Sequence, residues 1–202
     1  EIPVRRAMHA VLRDAYIELM KLPYVGTFRV GHYKEPMSLD ELTSDSYTMF
    51  IERSLMNAFA PSRNTGFMLQ NAPLEQRITW AFGAFRATDD TTGNGFSDDG
   101  TYNLTGRVTG LPWYENDGTH MLHLGVSVTQ KFLDQTSARI RQRPEVRLGN
   151  PYFVDNGSIE ADGAQVGNPE LALVCGPFSF QAEYAQTFLQ AKQATQFLSF
   201  TL

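Results

Sequence analysis

The sequence predicts an all-β fold, an antiparallel up-and-down transmembrane β-barrel with about eight strands present. Three observations carry that expectation. Apolar and polar side chains alternate with a period of two along most of the chain, as they do on a strand with one apolar and one wet face. Fourteen Phe and eight Tyr favour pleated surfaces. The connections between the alternating segments run short and long in turn, the pattern of a barrel with tight turns at one rim and long loops at the other.

In chain order, Leu12–Met20 sets Ala15, Ile17 and Leu19 against Asp14, Tyr16 and Glu18. Gly26–Lys34 places Phe28 and Val30 opposite Arg29, Gly31 and Tyr33. After a long connection, Arg63–Gln70 sets Thr65, Phe67 and Leu69 against Asn64, Gly66 and Met68. In Arg77–Arg86, Ile78, Trp80, Phe82 and Ala84 oppose Arg77, Thr79, Ala81 and Gly83. Thr101–Leu111 alternates Tyr102, Leu104, Gly106 and Val108 with Asn103, Thr105, Arg107 and Thr109. His120–Lys131 is the clearest case, with Leu122, Leu124, Val126 and Val128 against His123, Gly125, Ser127, Thr129 and Lys131. Leu171–Cys175 and Phe178–Leu189 flank a Gly176-Pro177 turn.

The short connections are 21–25, 71–76, 112–119 and 176–177; the long ones are 35–62, 87–100 and about 132–168. Strand lengths near the ~9 to 11 residues that cross a bilayer at a tilt favour a membrane barrel over a soluble sandwich. The chain is expected to be a single domain over 1–202, incomplete as a barrel, with loop 35–62 folded into the lumen. Ser38 suits an N-cap with Glu41 three residues on, so a helix is expected over about 40–56.

Composition excludes several classes. A formal net charge of −5 does not suit a nucleic-acid binder, which needs a basic footprint. Cys175 stands alone, so no disulfide framework or cysteine metal site exists within the chain. No apolar run approaches the ~18 to 20 residues of a membrane-spanning helix, which leaves a strand-built membrane protein open. Glu1 is neither an initiator Met nor the start of a secretion signal, so any signal peptide is expected to have been removed or to lie outside this piece.

There is no phosphate-binding loop, no Gly-x-Ser-x-Gly elbow and no His-Glu-x-x-His, so neither an enzyme nor a cofactor is expected. His120 and His123 lie three apart on a strand and face opposite sides, so they cannot share a metal. The acidic loop 89–100 lacks the spacing of a calcium loop and reads as solvated surface.

What stands out is the wet face. Only Lys21, Lys34, Lys131 and Lys192 are lysines; every other basic residue is arginine, whose planar fork grips phosphate or carboxylate bidentately. Arg29, Arg77, Arg107 and Lys131 fall on the polar side of their strands, Lys34 ends one strand and Arg63 begins another. Arg139, Arg141, Arg143 and Arg147 cluster in the third long connection. Rings of Arg or Lys select anions in a channel. The same cations paired with Asp14, Glu18 and Glu183 would instead only brace a wall.

The run Arg29-Val30-Gly31-His32-Tyr33-Lys34-Glu35-Pro36, then Ser38-Leu39 and Phe50-Ile51-Glu52-Arg53-Ser54-Leu55, resembles the phosphate-selective porin O and P family. So do Asn57-Ala58-Phe59-Ala60-Pro61 with Arg63-Asn64-Thr65-Gly66, and Gly106-Arg107-Val108-Thr109-Gly110-Leu111-Pro112-Trp113-Tyr114. The likeness spans most of 12–184. It implies part of a trimeric outer-membrane porin of about sixteen strands, in a Gram-negative bacterium, passing phosphate or polyphosphate through a lumen lined with lysine and arginine. By position, Lys34, Arg53, Arg63 and Arg107 are the anion-binding residues it suggests. Its partners would be inorganic phosphate or other small anions, outer-membrane lipid and two further copies of itself. Two other architectures compete on the residues alone: a complete small barrel with a structural role, and a soluble β-sandwich binding module.

Overall fold

The computed structural model describes residues 13–50, 52–88, 101–133, 141–142, 154–155, 157 and 159–191. The strands are β1 (Ala15–Leu22), β2 (Gly26–Lys34), β3 (Arg63–Asn71), β4 (Ile78–Arg86), β5 (Tyr102–Glu115) and β6 (His120–Phe132). They continue with β7 (Arg141–Gln142), β8 (Val154–Asp155), β9 (Ala161–Cys175), β10 (Phe178–Glu183) and β11 (Gln186–Ala191). Each long strand pairs antiparallel with the next in chain order, with β6 pairing β9 directly and β7–β8 forming a separate ribbon. This is the up-and-down, all-β architecture the alternation predicts.

The nine-stranded sheet is eight strands wide, because β10 and β11 share one place beside β9. They keep a single register along β9, and a proline explains the break between them. Pro169 has no N–H to give the ladder. Its carbonyl still accepts from Tyr184 N at 3.1 Å, while the carbonyl of Tyr184 is met by the side chain of Asn168 at 3.1 Å. Among the described residues its hydrogen-bonded order runs from β1 to β10 without returning.

Periodicity alone could not say which face is covered; the burial does. Along β6, Val126 is 50% exposed while its neighbours Ser127 and Thr129 are buried. The exposed apolar set continues sideways through Val108, Phe82, Phe67, Val30 and Ile17. Among the described residues no second layer lies over these side chains. A soluble sandwich would bury them under a second sheet.

What is buried lies on the polar face. Met37, Met56 and Phe59 of loop 35–62 pack against Val166 of β9 and Ala185. Tyr33, Met68 and Phe85 make a second cluster. Tyr33 stands edge-on to Tyr16 and Phe85, with ring centroids 5.8 and 5.6 Å apart. Those two aromatics sit opposite Gly31 and Gly66, where a side chain would collide with neighbouring backbone.

Loop 35–62 departs from the expected helix. Only Leu39–Leu42 is α-helical, followed by a 3-10 turn at Leu55–Ala58. Ser38 does cap it, its Oγ accepting from Glu41 N at 3.1 Å. Helix stops at Thr43 because the next residues bond locally. Thr43 Oγ1 donates back to the Leu39 carbonyl, and Ser46 N donates to Ser44 Oγ. Short hydroxyl side chains compete with the helix in this way. Other boundaries also move: β5 extends through Pro112 to Glu115, β9 begins ten residues before Leu171, at Ala161, and β10–β11 replaces one unbroken strand.

Candidate functional site: the cationic polar face

Strand register places Arg29 on β2 and Arg107 on β5 on the polar face, with Lys34 at the end of β2 under loop 35–62. The three line one cavity of about 540 Å³, together with Thr27, Gln70 and Thr79. Each is held by a carboxylate. Arg29 Nε donates to Glu18 Oε1 on β1 at 2.7 Å, and its guanidinium lies 4.2 Å from the Tyr16 ring centroid. Lys34 Nζ donates to the Glu41 carbonyl and lies 3.6 Å from Glu41 Oε1.

Arg107 grips Glu170 on β9 in a fork, at 2.5 and 3.3 Å. His123 Nε2 meets the same carboxylate at 2.8 Å. The Glu170 side chain is 0% exposed, so the pair is buried on its acidic side. Gly125 makes the room: a Cβ there would sit 2.4 Å from Glu170 Oε1. In three of the pairs the cation is the more exposed member: Lys34 over Glu41, Arg53 over Glu41 and Arg107 over Glu170.

Arg53 lies on the loop, not the wall. Its Nη2 donates to the Thr43 carbonyl at 2.9 Å and to Asp45 at 2.5 Å, while Nη1 is buried without a hydrogen-bond partner among the described residues. That contact holds the Asp45 carboxyl below its ordinary range. The link is therefore present at neutral pH and is lost as pH falls through the lowered value. Arg63 forks onto Asp14 at 3.1 and 3.2 Å, outside the cavity.

The remaining cations are dispersed. Arg77 sits in the exposed turn before β4, 5.8 Å from the Tyr114 ring centroid. Lys131, half-buried on the polar face, has no ion-pair partner among the described residues and lies within electrostatic reach of Glu35. Arg141 is in the β7–β8 ribbon, off the main sheet. Arg139, Arg143 and Arg147 lie outside the described residues.

The acids were the less legible half. Asp14 and Glu18 are visible from alternation; Glu18 pairs with Arg29 on the adjacent strand, and Asp14, just before β1, with Arg63 two strands away. Among the described residues Glu183 takes no cation; it accepts from Asp40 N at 2.6 Å and from Asn168. Glu170 was hidden because Pro169 reads as loop, although its place two residues before Ala172 on the polar side of β9 is a usable signal. Glu35 and Glu41 lie in the loop, where no period marks them.

A scan against family models matches residues 4–199 to "Phosphate-selective porin O and P". A curated "Uncharacterized protein" of Caulobacter vibrioides is 29% identical over 196 residues, which is 91% of this chain and 37% of the relative. The chain thus spans little more than a third of that relative's length. The family match over nearly the whole chain agrees with the all-β meander, and the chain belongs to the phosphate-selective porin O and P family.

Proposed function

We propose that this chain forms part of the wall of an outer-membrane porin that passes small anions, phosphate foremost. In this reading the bare apolar face meets lipid in the outer membrane of a Gram-negative bacterium. The polar face lines the lumen, loop 35–62 narrows it, and the assembled protein is a trimer. Family membership supports the porin. One observation carries the anion preference: Arg29, Lys34 and Arg107 line a common cavity, with Glu41 and Glu170 beneath their cations. A permeating ion then meets guanidinium and ammonium before it meets carboxylate. Guanidinium forks suit a tetrahedral oxyanion, and several weak sites in series let it pass on without being trapped.

A second reading has its own observation. Arg29, Lys34, Arg63 and Arg107 are all ion-paired, so they brace the wall of a weakly selective pore equally well. Phosphate block of chloride current separates the two. In planar bilayers carrying the full-length protein, phosphate is expected to block chloride current. The double variant Arg29→Gln with Lys34→Gln should weaken that block about tenfold, the order expected when two charge-assisted contacts are lost. Equal block in parent and variant would favour the braced, unselective wall.

A further inference from the structure

Glu35 is 0% exposed and carries a carboxylate into the polar face, where a buried charge is tolerated only with several donors. It has three. Oε1 accepts from Asn64 Nδ2 on β3 at 2.5 Å and from Asn103 Nδ2 on β5 at 2.7 Å; Oε2 accepts from Thr105 Oγ1. The side chain therefore reaches across β4 and ties two non-adjacent strands to the first residue of the loop. With its own proton given to Glu35, Thr105 Oγ1 accepts from Thr129 Oγ1 on β6 at 3.0 Å, and Thr129 Oγ1 also touches Met37 Sδ at 3.1 Å, which returns the chain of contacts to the loop. The loop's base is closed by Glu35 N donating to the Ser62 carbonyl at 3.0 Å.

No period marks Glu35, and neither bracing cations nor anion binding accounts for it. Among the described residues its close neighbours are neutral amides and a hydroxyl, and Lys131 lies within electrostatic reach. What it does is fix a position. Loop 35–62 is long, and long loops stay in one place only when specific contacts hold them. Lys34, one residue earlier, lines the cationic cavity, so whatever holds Glu35 also holds Lys34.

We propose that Glu35 is a positioning residue, a buried latch that holds loop 35–62 against the polar face and thereby sets the width of the aqueous path and the place of Lys34. The effect on the path rests on the porin reading above; the latch itself does not. The test therefore has a readout that needs no current. In the full-length protein, Cys175→Ser removes the exposed free thiol, and Val166→Cys places a thiol under Met37, Met56 and Phe59. Its modification by a charged, membrane-impermeant thiosulfonate reports how often the loop lifts.

Glu35→Ala strands three donors, and labelling should accelerate at least about tenfold, with a rise in open-channel conductance and current noise. Glu35→Gln keeps an acceptor for both asparagines, and its labelling should stay within about threefold of the parent. If Glu35→Ala does not insert, Thr105→Val decides: a rate raised about threefold or more upholds the latch, and an unchanged rate overturns it. Unchanged labelling in an inserted Glu35→Ala variant also overturns it. Faster labelling in a channel that proves cation-selective keeps the latch and removes the anion reading.

Discussion

Replacing Arg107 by methionine is expected to destabilise the folded protein by about 3–5 kcal/mol, the order seen when one partner of a buried ion pair is removed. The reason is Glu170, whose side chain is 0% exposed and, among the described residues, would keep only His123 at 2.8 Å. The hydrophobic replacement keeps most of the bulk, so lost packing contributes little. Adding Glu170→Leu should recover most of the loss, because it removes the stranded charge instead of leaving it. Urea unfolding of the refolded full-length protein in lipid vesicles, for parent, single and double variants, measures both differences. A double variant as unstable as the single one would show that the carboxylate is not what Arg107 serves. Glu170 occupies the space that Gly125 leaves, and it is reached from β5 and β6 at once, so its loss is felt on three strands.

The second large effect concerns the opposite face. Val126, near the middle of β6, is 50% exposed among Val108, Leu124 and Val128. With lipid against that face, Val126→Arg should cost about 2–4 kcal/mol, as a cation near the bilayer midplane does. Were the face in water, arginine at a half-exposed strand position would change stability by no more than ~0.5 kcal/mol. The same vesicle unfolding experiment separates these values, and a change near zero would contradict the lipid assignment. Ser127→Arg is no control, because Ser127 is buried and faces the other way.

Much of this was legible from the residues because a strand converts sequence parity directly into a face. Val126 and Ser127 differ by one position and end on opposite sides of the sheet, so β2 through β6 follow from alternation with boundary errors of a few residues. Four features did not yield to that reasoning. Pro169 reads as a break, yet the strand continues through it because Asn168 supplies the donor that the proline lacks. The loop looked helical from Ser38 and Glu41, but Thr43 and Ser44 satisfy backbone groups locally and end the helix after one turn. The cations of the site were found by parity, whereas Glu35 and Glu41 could not be, since loop positions carry no period. Which face is covered was also beyond the pattern. Alternation is symmetric, and only the loop lying on the Thr105–Thr129 side breaks that symmetry.

The central claim is that cations over buried acids make the polar face prefer anions, and one measurement addresses it without any substitution. The unmodified full-length protein is reconstituted in a planar bilayer across a potassium chloride gradient, and the zero-current potential is read. The account predicts a potential of the sign set by chloride, growing larger as total salt is lowered and screening between charges in the lumen weakens. A potential of the sign set by potassium at every salt concentration would contradict it, and would leave Arg29, Lys34 and Arg107 as struts that hold the wall.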